Sequence, residues 1–137
     1  MTEAKVNFNF EEVLVDSNQV LVQNTEGRTV EHLELVLCEK YFGEVCEFDG
    51  IADDAYGMIN INHNRLIETT QIAVGDTFVL GEPVYFDPGG AGAAGELEAT
   101  GGSGNVAVGI CTRVNNGVSV QFRPFVQRLN ATGLVVT

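Results

Sequence analysis

The 137-residue chain has no tryptophan, three prolines, three cysteines and two histidines, and only 7 lysines and arginines against 19 aspartates and glutamates. Each scarcity narrows what the chain does. A formal net charge of −12 repels phosphate backbones and anionic lipid headgroups, so neither nucleic acid nor a membrane is an expected partner. No segment reaches the roughly 18 apolar residues of a membrane-spanning helix. The opening MTEAKVNFNFEEV lacks the basic-then-apolar order of a secretory signal. Cys38, Cys46 and Cys111 form no CxxC-type pair and are odd in number. Free thiols in a reducing cytosol are the simplest account, with a Cys38–Cys46 disulfide as the alternative.

Chemistry-bearing patterns are equally scarce. His32 and His63 are far apart in the chain and show neither HxH nor HExxH spacing. No serine sits in a GxSxG elbow. Asp49, Asp53 and Asp54 make an acidic loop without the twelve-residue calcium pattern and its closing glutamate. The stretch from Pro88 to Gly104 holds seven glycines but no lysine, and no helical pattern follows, so it is a surface loop rather than a phosphate cradle. No catalytic residue, metal site or cofactor is expected.

What the chain does contain is strand grammar. Hydrophobic residues make up 45% and charged residues 19%, and 16 glycines fall between the apolar runs. That composition fits one globular domain of many short strands joined by turns. The stretch VGDTFVLGEPVYF, Val74 to Phe86, reads as two strands bent about Gly81, with Pro83 confined to a strand start or a sheet edge because it donates no hydrogen bond. Val6, Phe8 and Phe10 alternate with Asn7 and Asn9, which is strand periodicity. They belong either to an edge strand of the domain itself or to an extended arm that pairs with a neighbouring subunit.

Two apolar triplets, Val13–Val15 and Val20–Val22, flank a turn at Asp16-Ser17-Asn18, and Asn24 to Gly27 forms another turn. Between Thr29 and Glu39 the alternation of Leu33, Leu35 and Leu37 favours a strand over one and a half helical turns. Strands follow at 41–48, with Gly43 marking a bulge or close packing, at Tyr56–Ile61 and at Arg65–Thr70, the last two joined by a tight turn at Asn62-His63-Asn64. A short strand at Glu96–Ala99 precedes a hairpin of Asn105–Thr112 and Val118–Phe125, turned at Asn115-Asn116-Gly117 in type I′ geometry. Leu134 and Val135 open a possible last strand. The expected fold is therefore all-β, with at most one short helix. It is a compact β-barrel or tulip-like module of short antiparallel strands (16–125) between an extended arm (1–15) and a C-terminal extension (126–137).

The order and spacing of several of these pieces carry a resemblance. Tyr41-Phe42-Gly43-Glu44-Val45 is followed by the strand–turn–strand Gly57 to Leu66. Ile72-Ala73-Val74-Gly75-Asp76 and Pro83-Val84-Tyr85-Phe86-Asp87 come next, then Val108-Gly109-Ile110 and Val118-Ser119-Val120-Gln121-Phe122. From about Asp16 to Phe122 this series resembles the capsid cement, or head-decoration, family of tailed phages. Residues 1–15 and 124–137 extend beyond the shared part, and Cys111 stands where the family often has alanine.

The resemblance implies a virion structural protein without enzymatic activity. Made in the host cytoplasm, it would sit on the outer surface of the head, bind the major capsid protein as a homo-oligomer, most simply a trimer, and stabilise the shell. Val6, Phe8, Phe10, Leu134 and Val135 are then the expected capsid or subunit contacts. Two alternatives stay open: another virion β module of a tail tube, head-completion or fibre-base kind, and a small β-barrel enzyme or metal-binding protein using His63.

Overall fold

The computed structural model describes residues 19–89 and 95–127. The contact residues expected from the sequence, Val6, Phe8, Phe10, Leu134 and Val135, lie outside them, as does the arm 1–15. Among the described residues nine strands form two sheets. The first contains β1 (Gln19–Gln23), β2 (Leu35–Cys38), β3 (Tyr41–Val45) and β4 (Tyr56–Asn60) in the order β1-β4-β3-β2. The second contains β5 (Ile67–Thr69), β6 (Pro83–Asp87), β7 (Glu96–Glu98), β8 (Val106–Asn115) and β9 (Ser119–Pro124) in the order β5-β9-β8-β6-β7. Every strand pair within the sheets is antiparallel. Among the described residues there is neither a helix nor a closed barrel, so the fold is all-β with two open sheets.

Period-2 alternation decides which side chains enter the core. On β6 and β9, Val84, Phe86, Val120 and Phe122 point inward, and Leu97 does so from β7; all five are essentially inaccessible. Leu35 and Phe42 enter the same cluster from the first sheet. Phe42 stands between the two sheets, its ring centroid 5.1 Å from Phe86 and 6.3 Å from Phe122 in tilted, edge-favouring geometry.

The next residues along β2 and β3 point the other way. Val36, Cys38 and Val45 join Val22 and Ile59 in a second core on the far face of the first sheet, where Val30 and Ile51 cover them from two loops. At β2 and β3 the first sheet is thus buried on both faces, which is why VLC and YFGEV read as nearly continuous apolar runs.

Close approach of backbones explains two glycines. A Cβ on Gly43 would lie 2.4 Å from the Asn60 carbonyl oxygen, and one on Gly109 would lie 2.4 Å from that of Arg123. The expected interior glycine of residues 41–48 is therefore a packing glycine. Two glutamines complete the seam between the sheets. The Gln71 side chain accepts from Leu35 N at 2.9 Å and donates to Leu35 O at 2.8 Å and Gly95 O at 2.9 Å. Gln127 does the same at Phe42, accepting from its N at 2.9 Å and donating to its O at 2.6 Å. Each primary amide imitates a strand neighbour and satisfies backbone groups that would otherwise be left unpaired.

Several local expectations change. Tyr56–Asn60 and Ile67–Thr69 are strands but do not form a hairpin, because they belong to different sheets. The Asn62–Asn64 segment takes no positive φ. Its asparagines make successive side-chain turns instead: Asn60 Oδ1 accepts from Asn62 N, and Asn62 Oδ1 from Asn64 N, each at 2.8 Å. This carries the chain across the molecule. Of the two strands expected in Val74–Phe86 only the second forms, beginning at Pro83. Phe78 alone turns inward, and Val74, Val79 and Leu80 remain exposed. The β8–β9 hairpin is present, but only Gly117 has positive φ (79°), whereas a type I′ turn would need it at Asn116 too. The expected strand at Glu96–Ala99 forms over Glu96–Glu98, pinned by fully buried Leu97.

Candidate interaction surfaces

All three cysteines are free. Burial, followed by the carboxylates of Glu26, Glu39 and Glu34, pushes the Cys38 thiol up to about 11. Cys46 is raised as well, mainly by burial and then by Glu44, against the opposing charge of Arg65. Near neutral pH Cys38 stays in the thiol form, and buried Cys111 is sterically shielded. A disulfide reagent should therefore titrate Cys46 in the native protein and release the other two thiols only in denaturant. Three equally fast thiols would contradict the burial described above.

Among the described residues, neither His63 nor the Asp49–Asp54 loop belongs to a set of three ligating side chains; the trio that does converge is Asp87, Glu96 and Glu98. Their oxygens lie within 4.8 Å of one another on the outer face of β6 and β7. Register explains this, because Asp87 is directly opposite Glu96 and Glu98 is the next outward residue. Desolvation, then the nearby Asp87 and Asp76 carboxylates, hold Glu98 above the usual carboxylate range, although Asn105 Nδ2 donates to it at 2.9 Å. The trio is a partly solvated face on a strongly acidic protein. A groove lined by Glu68, Thr69, Thr70, Asn115, Val118 and Ser119 gathers small polar groups, with Ser119 Oγ donating to Glu68 at 3.4 Å. Its one titratable group among the described residues is the Glu68 carboxylate, and no cationic side chain lines it.

Leu21, Tyr56, Leu66 and Val118 are exposed, but two apolar features are built on loops outside the strand pairs. One lies on the loop after β5, where Val74, Val79 and Leu80 are exposed around the buried anchor Phe78. The other is a knuckle made by two neighbouring loops of the first sheet. Leu33 is 57% exposed and Phe48 is 85% exposed, and the His32 ring packs 5.4 Å from that of Phe48. The sequence pattern placed Leu33 and Phe48 in strands. Two local signals point the other way: Phe48 stands between Glu47 and Asp49-Gly50, and Leu33 follows Glu31-His32, contexts too polar for a core position.

Comparison of the chain with known protein families, with curated proteins and with solved structures finds no match.

Proposed function

We propose that this protein is an adhesive structural module: a capsid cement protein that binds the outer surface of a phage head, contacts the major capsid protein and reinforces the shell as a homo-oligomer, most simply a trimer. The observation that carries this reading is the division of labour among its apolar side chains. The residues that resemble the cement family, among them Phe42, Val45, Val84, Phe86, Val108, Val120 and Phe122, are the interior framework. A second set, Leu33, Phe48, Val74, Val79 and Leu80, stands outside on loops. A rigid two-sheet block with apolar projections suits binding in many copies, where modest contacts add through multivalency. The −12 charge suits a protein that must not adhere to packaged DNA.

The reading is tested by the copy number per particle and by head binding of the full chain. Hundreds of copies on each head are expected, against a ring or a single vertex for a tail-tube, head-completion or fibre-base protein. Deleting residues 1–12 should weaken head occupancy while leaving the far-ultraviolet spectrum and melting temperature nearly unchanged. A handful of copies per virion would reject the cement role. Unaltered occupancy would reject the arm as its anchor.

A further inference from the structure

The knuckle formed by residues 31–34 and 47–50 combines three properties that folding alone does not explain. First, it exposes a phenylalanine and a leucine on two loops joined by the His32–Phe48 ring contact, at 85% and 57%, although a fold of this size could bury or replace them. Second, Leu33 has φ of 70°, left-handed backbone that a leucine adopts at a cost and a glycine adopts freely. On folding grounds glycine would be the better residue in this turn. Third, the tip is held rigidly.

That rigidity has identifiable sources. Leu33 N donates to Val45 O at 2.9 Å, and Glu34 N closes the turn onto Glu31 O at 3.1 Å. The Glu34 carboxylate accepts from Glu31 N at 2.9 Å and forms a two-pronged ion pair with the Arg28 guanidinium. On the second loop Gly50 N donates to Glu47 O at 2.9 Å, and Val30 and Ile51 exchange backbone bonds of 3.0 and 2.9 Å. Exposed apolar side chains on a braced turn lose little conformational freedom when a partner covers them.

The charges around the tip identify the chemistry of that partner. Glu31 and Asp49 are the sequence neighbours of His32 and Phe48, Glu47 precedes Phe48, and the Arg28 guanidinium at the base of the first loop is committed to Glu34. We infer that the Leu33–Phe48 knuckle is the docking point for a different protein, one that offers an apolar recess rimmed by lysine or arginine. At the knuckle a second copy of this chain fits poorly, since it would set the same Glu31, Glu47 and Asp49 carboxylates against each other, so contacts between copies of the homo-oligomer lie elsewhere. Anionic lipid fits poorly for the same reason. This inference rests on the adhesive reading above and names the part of the molecule that adheres.

The test uses heads assembled without this protein as the probe and compares the full wild-type chain with Phe48→Ser and Leu33→Gly. Leu33→Gly separates docking from folding, because it relaxes the turn while removing the apolar side chain. Its melting temperature should hold or rise, yet its affinity for heads should fall at least about tenfold, as should that of Phe48→Ser. Added salt should weaken wild-type binding, and Asp49→Asn should flatten that salt dependence.

If wild type binds and both variants bind equally well, the knuckle is not the docking point, although the adhesive reading survives. If wild type does not bind heads at all, the adhesive reading falls and the inference falls with it. Self-association in sedimentation experiments that Phe48→Ser abolishes would assign the knuckle to a second copy and overturn the partner named here.

Discussion

Phe42→Ala is expected to lower the free energy of unfolding by about 3–5 kcal/mol, enough to leave a domain of this size marginal or unfolded at 37 °C. Phe42 is 2% exposed and is the aromatic that the first sheet contributes to the cluster shared with the second. Truncation would remove its contacts with Phe86 and Phe122 and leave a void at the centre of the seam. The surrounding atoms are poorly placed to collapse into it. Phe42 N and O are fixed by Gln127, and the adjacent Gly43 already lies against the Asn60 carbonyl. Phe42→Leu, which keeps most of the volume, should cost clearly less. Urea unfolding of the three proteins, with similar denaturant slopes, checks the order. Equal midpoints for Phe42→Ala and wild type would mean that the two sheets are not held together through this residue.

Asn24→Ala is expected to cost about 2–4 kcal/mol although it removes only one small polar side chain. Asn24 has no exposed surface. Its Nδ2 donates to the carbonyls of Arg28 at 2.7 Å, Ile51 at 2.8 Å and Ala52 at 3.2 Å, and its Oδ1 accepts from Glu26 N at 2.9 Å. Its main chain bonds Ala55 O and Asp54 N at 2.9 and 2.7 Å. One side chain thus ties together the two loops that cover the second core, and alanine would leave buried carbonyls without a donor. Asn24→Asp should be worse at neutral pH, because a carboxylate would face carbonyl oxygens. A thermal melt that ranks wild type above Asn24→Ala above Asn24→Asp supports this account; equal stability of Asn24→Asp and wild type would exclude it.

These two residues also bear on the adhesive surface. The loops that Asn24 unites are continuous with those that carry Leu33 and Phe48, and Val30, bonded to Ile51, lies between them. Loss of Asn24 should therefore loosen the knuckle as well as the fold. For that reason the docking test relies on Leu33→Gly and Phe48→Ser, whose side chains contribute little to the core. Phe42 has the complementary role: it couples the first sheet, which presents the knuckle, to the second.

How much of this was readable in the chain depends on the range of the forces involved. Residue type in PVYFD and YGMIN gave those strands. Alternation in VSVQFRPF gave Val120 and Phe122 as inward residues, because the period of two is a property of the backbone itself, although Val118 stays outside at the turn and Ser119 is buried. The isolated Leu97 within a glycine-rich stretch marked β7 for the same reason. The two-residue turn at Glu39-Lys40 carried no glycine or asparagine and was not legible. Glu39 holds the positive φ of 59° itself, and its carboxylate accepts from Gln23 N at 2.5 Å, an arrangement that only the folded chain supplies.

The candidate surface was less legible still. Leu33 and Leu35 look alike in the sequence, yet one is exposed and the other buried, because the φ of 70° at Leu33 turns the chain before β2 begins. Val79 and Leu80 look like Val84 and Phe86, but among the described residues no strand pairs with them. The amino-acid sequence by itself determined the all-β class, the positions of most strands and the acidic surface, since propensity, alternation and charge act locally or simply add. Tertiary structure alone decided which sheet each strand joins, which of two cores each side chain enters, and which apolar residues are left outside. Those outcomes depend on partners distant in the chain, and burial is a property of the pair rather than of the residue.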